Sequence, residues 1–566
     1  MNTMKKYVYS VVALVVALTA TSCSDFLDRA PQDALSPSTF WKTESDAKLA
    51  LTGCYNGLDK IYHDGHWTGN ACIMMDALSD DYFDYFSWEG YHVLTTGNIT
   101  PTNNGVADAW WHFSDIRACN EYLEMESNVA WENEATQKQY LAEARTLRAF
   151  LYFFRTQFFG DMPLIKNTLP TPGDSYLPRD GKEQVEDFIE TELIAAIPDL
   201  PGRFETEQGR INKQFAQGLL MRFYLYKNQY AKAEPIAKDI IDKGGLSLSP
   251  NYAEMFLTGN QYDNETIFDY SFVANSSREM YADPFVPNGA YGGWSSVVPT
   301  VNLLEAFECI DGLPIDKSPL YNKDYPYENR DPRLRASIIY SGQVHQGYGD
   351  GSTKYLVYNS MPRYFENGEA NPDWWNYTGN STKSGLNLGK YFQSANIVSP
   401  SHTTLHFKCM RLAEVMLSLA ECYIEQNKNL SEAAALINQV KARAYNGNVY
   451  NVAAPQITVS DQQTMREQLR RERRMELNGE GVRRFELKRW GILAETFRNL
   501  SIDHYDGDLT NEKNAYGDYK AKCTGITKGE AFASANFQSF KDYMEWWPVS
   551  QGQIDVNPNL KQTSGY

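Results

Sequence analysis

The chain has 566 residues, enough for several hydrophobic cores at about 100–200 residues per domain, and sets 71 Asp and Glu against 53 Lys and Arg for a formal net charge of -18. That balance excludes a surface built for nucleic acid, whose phosphates demand clustered cations, and fits an extracytoplasmic protein with a neutral ligand. Aromatic residues are abundant, with 37 Tyr, 27 Phe and 12 Trp, and many stand in Gly- and Asn-rich stretches where a core role is less natural.

In chain order, the first element is a targeting segment. Lys5 and Lys6 precede an almost uninterrupted apolar run from Tyr7 to Ala20, followed by Ala20-Thr21-Ser22-Cys23. The run is shorter than the roughly 20 residues a spanning helix needs, and small residues close it, which is the pattern of a cleaved signal peptide. A cysteine directly after the cut resembles the lipobox of bacterial lipoproteins. Residues 1–22 are therefore read as a lipoprotein signal peptide, Cys23 as the lipidated first residue of the mature chain, and the protein as anchored to a membrane rather than threaded through it.

Helical periodicity dominates the mature chain. Glu44 to Tyr62 reads as a helix beginning near Thr43. From about Thr136 to Phe159, Tyr140, Ala144, Leu147, Leu151, Phe154 and Phe158 recur at spacings of four and three, one buried helix face, until Gly160-Asp161 and Pro163 stop it. Asn212 to Lys227 and Tyr230 to Asp242 form two helices around a short polar turn, with Ala233 and Ala237 at the contact, like a tetratricopeptide unit. Leu412 to Tyr423 and Leu430 to Ala444 repeat the plan. A fourth block is read as continuous from Asp461 to Arg489. The pairs are unevenly spaced, so the fold class expected is mainly α: a degenerate tetratricopeptide-like helical-pair scaffold interrupted by loop-rich insertions at about 63–111, 246–405 and 499–566. Loops on a rigid scaffold are where binding usually sits.

The seven cysteines after Cys23 contain no CxxC pair, so they read as buried small hydrophobes and not as a disulfide framework or zinc ribbon. There is no HExxH, no GxSxG and no phosphate loop; no metal and no cofactor is implied. His63 and His66 read as loop residues. The charge-rich run with Glu472, Arg473, Arg474, Glu476, Arg483, Arg484 and Arg489 reads as salt bridging within the scaffold, since opposite charges three or four apart on a helix support one another.

The ordered motifs resemble one family. Cys23-Ser24-Asp25-Phe26-Leu27-Asp28 with Pro31 opens it, and Phe40-Trp41, Ala47, Ala50, Gly53 and Tyr55 continue it. Glu143-Ala144-Arg145 with Leu147-Arg148-Ala149 and Tyr152-Phe153 leads to Phe159-Gly160-Asp161. Then come Asp311-Gly312, Asn329-Arg330-Asp331-Pro332-Arg333, Arg411 with Ala413-Glu414, and Gly481 with Arg483-Arg484-Phe485-Glu486-Leu487-Lys488-Arg489-Trp490-Gly491. Asn557-Pro558-Asn559-Leu560 through Gly565-Tyr566 closes it; Trp546-Trp547-Pro548 departs from the more aliphatic approach expected there. The chain is similar to SusD/RagB proteins over nearly its whole mature length. The resemblance implies one SusD-like domain over 23–566, attachment to the outer face of the outer membrane, an oligosaccharide cargo, and a SusC-like TonB-dependent transporter as partner. Asp25 and Asp28 are similar to a surface-export signal.

Two roles compete for the loop residues. Asp80, Asp81 and Asp84 could be the paired carboxylates of a surface glycoside hydrolase, which must flank the sugar bond at about 5–9 Å; within the family such acids more plausibly accept bonds from sugar hydroxyls. The aromatic residues favour binding without chemistry, because a flat ring covers the C–H face of a sugar and removes apolar area worth about 25 cal/mol per Å². Three stretches qualify: Asp80 to Tyr91 with His66-Trp67 before it, Tyr281 to Trp294, and Trp374, Trp375 and Tyr377. The expected ligand residues are Trp88 as principal platform, Trp294 second, Tyr291 and Trp67 next, Tyr85 beside them, and Asp81 as hydroxyl acceptor. Trp110-Trp111 precedes a helix and the resemblance makes Trp111 structural; Trp41 and Trp490 are expected in the core. A peptide or glycoprotein receptor on the same scaffold is a third reading.

Overall fold

The computed structural model describes residues 40–62, 71–86, 88–273, 280–346, 355–377, 379–391, 404–529 and 537–566. The signal segment, Cys23, Asp25, Asp28, His63, His66 and Trp67 lie outside the described residues, so the expectations placed on them concern sequence alone.

The scaffold follows from caps and apolar spacing. Helix α1 (Glu44–Tyr62) starts where Thr43 and Asp46 cap each other: the Thr43 N–H donates to Asp46 Oδ2 at 2.8 Å and the Asp46 N–H to Thr43 Oγ1 at 3.2 Å. After α2 (Ser114–Met125), α3 (Glu134–Phe159) begins with Asn133 accepting from the Ala135 N–H and ends at Gly160, whose φ of 68° a side chain resists. Helix α3 is buried on more than one side. Beyond its apolar stripe, Arg148 holds Glu192 of α4 (Lys182–Ala196) at 2.6 Å and Arg155 holds Asp115 of α2 at 2.5 Å. Helix α4 was not among the sequence expectations, although Val185, Ile189 and Leu193 carry its buried stripe.

The two helix pairs repeat one design. Helices α5 (Lys213–Tyr226) and α6 (Tyr230–Lys243) pack on each other, with Ala233, Ala237 and Ile240 buried on α6, while Phe215 and Phe223 of α5 meet Phe150 and Phe153 of α3. Helices α7 (Leu412–Glu425) and α8 (Leu430–Ala444) do the same, with Ala433, Ile437 and Val440 buried on α8. Both turns place asparagine in the left-handed region, Asn228 in the first and Asn427 and Asn429 in the second, a conformation asparagine tolerates better than most residues. Helix α6 packs on α7, so the pairs stack and bury a continuous core as helical repeats do, and Arg222 of α5 clamps Glu414 of α7 at 2.7 and 2.6 Å.

The fourth block corrects the sequence reading. It is not one helix: α9 (Gln462–Leu477) stops, and α10 (Arg483–Arg489) begins after a turn over Asn478–Val482. Gly479 and Gly481 hold φ of 74° and 72° there, which an α-helix cannot accommodate. The turn delivers Glu480 into a buried ion cluster. Arg411 Nε and Nη2 meet Glu480 at 2.8 and 2.7 Å while its Nη1 meets Glu265 at 2.8 Å and Glu476 at 2.6 Å. Arg443 joins Glu265 and Glu476, Lys390 reaches Glu480 at 2.5 Å, and Arg333 reaches Glu472 at 2.5 Å and Asp331 at 2.9 Å. The charge run thus pairs between elements separated in sequence rather than along one helix. In the same segment as Arg333, Arg330 donates to the carbonyls of Leu304, Phe307 and Pro326.

Strands β1 (Tyr82–Asp84), β2 (Thr266–Ser271), β3 (Val297–Pro299) and β4 (His406–Arg411) stitch the insertions to this frame. Antiparallel β2 and β4, with Asp269 opposite Lys408, close the two ends of the long insertion on each other. Antiparallel β1 and β3, with Phe83 opposite Val298, fasten the first insertion to the second. The third insertion carries an unforeseen hairpin of β5 (His504–Lys513) and β6 (Tyr519–Thr527). Trp41, Trp110, Trp111 and Trp547 are buried; Trp490 is only half-buried, its indole N–H donating to Glu421. The cysteines of the described residues are all buried. No helix among the described residues is long and apolar enough to cross a membrane.

Candidate functional site

The β1–β3 ladder sets the geometry of the loop face. It ends with Asp84 opposite Val297, and the Tyr85 N–H continues it by donating to Ser296 O at 2.9 Å. Beneath it, Phe83 is buried against Phe537 and His92, with ring centroids 5.5 and 5.4 Å away. Past Asp84 the chain turns outward, and Tyr85, Phe86 and Trp88 rise from the packed layer in that order.

The turn that bears Trp88 is held from below. The Glu89 N–H donates to Phe86 O at 3.1 Å, and Asp84 Oδ2 accepts from the N–H groups of Tyr91 and His92 at 3.1 and 2.9 Å. Gly90 and Gly105 let two backbones touch: a Cβ on Gly105 would lie 1.9 Å from Gly90 O. Trp294 is positioned by an equally tight loop. Its N–H donates to Asp283 O at 2.6 Å, and a Cβ on Gly293 would lie 2.3 Å from Val286 O. Gly292, at φ 72°, ends the one-turn helix Asn288–Tyr291 on which Tyr291 sits.

These loops bring the two indoles together. Trp88 is 40% exposed, Trp294 is half-buried, and their rings meet edge to face with centroids 5.7 Å apart at 64°. Phe86 lies 5.8 Å from Trp88, and Tyr85 4.8 Å from Phe86. Lys383 extends the row from a distant loop, its Nζ 4.6 Å from the Tyr85 ring centre, within cation–π range; burial lowers the pKa of this lysine. The result is a row of rings with one amine at its end, chemistry that suits a flat, hydroxylated ligand. Phe86 belonged to the aromatic stretch but was not singled out, and nothing in the sequence around Lys383 signals its place.

Asp81 is a correction. It is completely buried, and its Oδ1 accepts from Arg474 Nε at 2.6 Å, so no sugar hydroxyl reaches it. Asp80 is likewise engaged by both Arg483 and Arg474, at 2.9 and 3.0 Å. Burial alone would raise its pKa, but the two guanidinium groups outweigh burial and hold the carboxyl well below its ordinary range. Asp84 is buried under the Trp88 turn, and burial raises its pKa. These acids brace the loops, and none is placed to flank a glycosidic bond.

The third aromatic stretch adjoins the second. Asp373 Oδ1 accepts the Gly289 N–H at 2.7 Å, clasping the Trp374-Trp375 loop to the one-turn helix that leads to Trp294. Burial lifts Asp373 to about 6, partly offset by the N–H groups of Gly289 and Asn288. Trp375 is committed to packing, stacked on His504 with centroids 3.7 Å apart. Among the described residues no group of three or more His, Cys, Asp and Glu is arranged to hold a metal ion. A separate cavity of about 660 Å³ opens between the start of α2, the 163–176 loop and residues 553–560. Its wall holds Trp111, buried beneath the Arg179 guanidinium and edge to face with Phe113 at 5.7 Å, together with the exposed Tyr176.

Fold and face together define a stacked-helix scaffold that carries aromatic loops toward solvent. The chain belongs to the SusD family, which residues 257–566 match; residues 25–225 also match a family described as starch-binding and associating with the outer membrane. It is similar to a SusD-like protein of Bacteroides ovatus, 24% identical over 586 residues and covering 97% of each chain, and to SusD-like protein P38 of Formosa agariphila, 25% identical over 84% of this chain and 89% of that one. A SusD-like carbohydrate binding protein of Bacteroides fragilis shares the fold with a TM-score of 0.75 and 27% identity, covering 92% of this chain and all of that one.

Proposed function

We propose that the protein captures an oligosaccharide or polysaccharide on the Trp88–Trp294 platform at the cell surface and passes it, uncleaved, to a SusC-like TonB-dependent transporter. The observation that carries the reading is the edge-to-face contact of two indoles from separate insertions, held by glycine-tight turns and open to solvent at Trp88. Loops this constrained are preorganised, which lowers the ordering cost of binding. Kinship with a carbohydrate-binding relative supports the same ligand class. Tyr291 and Trp67 remain proposed contacts by their place in the sequence. A hydrolase is disfavoured because Asp80 and Asp81 are spent on Arg474 and Arg483. Lipidation at Cys23 would hold the protein beside its transporter at the outer membrane.

Affinity electrophoresis in gels of starch, laminarin, xylan and pectin tests the binding. Wild-type protein should be retarded in at least one gel, and Trp88→Ala should lose about tenfold or more in affinity there, the scale of a hot-spot residue. Normal retardation of Trp88→Ala removes the platform from the reading. Reducing ends released by wild type would overturn binding without catalysis. Gentle solubilisation of outer membranes should copurify a large barrel protein; recovery of the lipoprotein alone argues against a stable transporter complex.

A further inference from the structure

Residues 363–371 form a small finger that the platform does not account for. Tyr364 pairs with Ala370 across it, the Phe365 N–H donates to Glu369 O at 2.9 Å, and the Gly368 N–H donates to Phe365 O at 2.8 Å. Its base is fixed by Asn371, fully buried, whose amide donates to the carbonyls of Asn359 and Pro362 at 2.8 and 2.9 Å. On this rigid stem Tyr364 and Phe365 are 52% and 42% exposed. The Arg363 guanidinium lies between two rings, 5.2 Å from the centre of Tyr364 and 5.3 Å from that of Trp374. Exposed rings on a braced hairpin forgo burial that a less ordered loop could recover.

The geometry points to this finger as a second glycan subsite, gripping a polysaccharide chain that runs on from the Trp88–Trp294 platform; the inference rests on the function proposed above. Continuity is the first argument. Trp374 adjoins Asp373, Asp373 is bonded to Gly289, and the chain from Gly289 to Trp294 spans at most about 18 Å even if extended. Size is the second. Aromatic side chains bury about 150–250 Å² each when fully covered, so two half-exposed rings offer roughly 200 Å², far short of the roughly 800 Å² per partner of a stable protein interface. Chemistry is the third: the rings stand among Arg363, Asn367 and Glu369, a mixture of donors and acceptors suited to hydroxyl groups, and no carboxylate there is needed for the fold as Asp80 and Asp81 are.

The platform would then set affinity for a short oligosaccharide, and the finger would add affinity only for chains long enough to reach both. The test compares wild type with a Tyr364→Ala/Phe365→Ala double variant, using whichever of the four polysaccharides retards wild type and a two-sugar fragment of it, too short to reach both sites, by calorimetry. The variant should match wild type on the fragment, which also reports that it is folded, and bind the polymer about five- to tenfold more weakly. Equal polymer affinity overturns the finger and leaves the platform standing. Unchanged polymer affinity with loss of the copurifying barrel protein also overturns it, making the finger a protein contact. If wild type binds none of the polymers, platform and finger fall together.

Discussion

Around Arg411, five acidic and basic side chains from β4, α8, α9, the Asn478–Val482 turn and the long insertion meet buried away from solvent. Around Trp88, rings from two insertions meet at the surface with much of one indole uncovered. Both regions are conspicuous in the sequence, and they differ in what their side chains have left to offer. A buried charge left unpaired costs several kcal/mol, so a folded chain must use its buried charges on itself. A half-exposed ring costs far less, so it can be kept for a ligand. Conspicuous charge in this protein marks architecture, and the exposed rings of the loops mark the surface that we propose for recognition.

Four measurements sharpen or break that contrast. Arg411→Met strips a partner from Glu265, Glu476 and Glu480 together and should destabilise by about 3–5 kcal/mol in urea unfolding; a loss under about 1 kcal/mol would mean the cluster is not what joins the insertion to the helices. Glu421 gives the pH counterpart. Burial would raise its pKa, but Arg489, at 2.5 and 2.7 Å, together with Arg473 and Trp490, holds it down at about 2. A carboxyl depressed from its ordinary 4.5 contributes stability above that pH and loses it as pH falls toward 2, worth roughly 3 kcal/mol. The gap between wild type and Glu421→Gln should therefore be widest at neutral pH and close between pH 4.5 and 2. A gap that stays constant across that range would show that the carboxylate is not ion-paired.

Gly479→Ala probes the turn that delivers Glu480. The new methyl would meet Lys390 Cδ and Tyr82 Oη at an ordinary 3.4 Å, so the cost is that of a left-handed backbone, about 1–2 kcal/mol. Trp88→Ala should have the smallest effect on unfolding, under about 1 kcal/mol, because the ring is substantially exposed. A larger loss would turn Trp88 into a packing residue and erase the contrast.

The scaffold was legible where local rules act alone. Glu44–Tyr62 and Leu430–Ala444 have the limits that spacing and caps imply, and the alanines of α6 lie at the contact expected of them. The break after Leu477 was signalled by Asn478-Gly479-Glu480-Gly481, a turn sequence passed over inside a charged, helix-favouring run; the left-handed glycines stop the helix and the turn delivers Glu480 to Arg411 and Lys390. The stretches rich in rings were legible as a surface only in part: Trp88 is exposed, whereas Tyr82, Phe83, Tyr91 and Phe285 of the same stretches are buried. The role of Asp81 was not legible, because its partner Arg474 lies 393 residues along the chain. Lys383 joins the ring row by the same long-range route.

The pairing of β2 with β4 has one more consequence. It brings the ends of the long insertion to within a strand spacing of each other, while Glu308, Arg333 and Lys390 tie its interior to α8, α9 and the Asn478–Val482 turn. Loop closure grows dearer by only about 0.6 kcal/mol for each doubling of length. Stretches between those ties can therefore lengthen or shrink with little strain on the helices, whereas exchanging the tied residues would leave a buried charge unpaired.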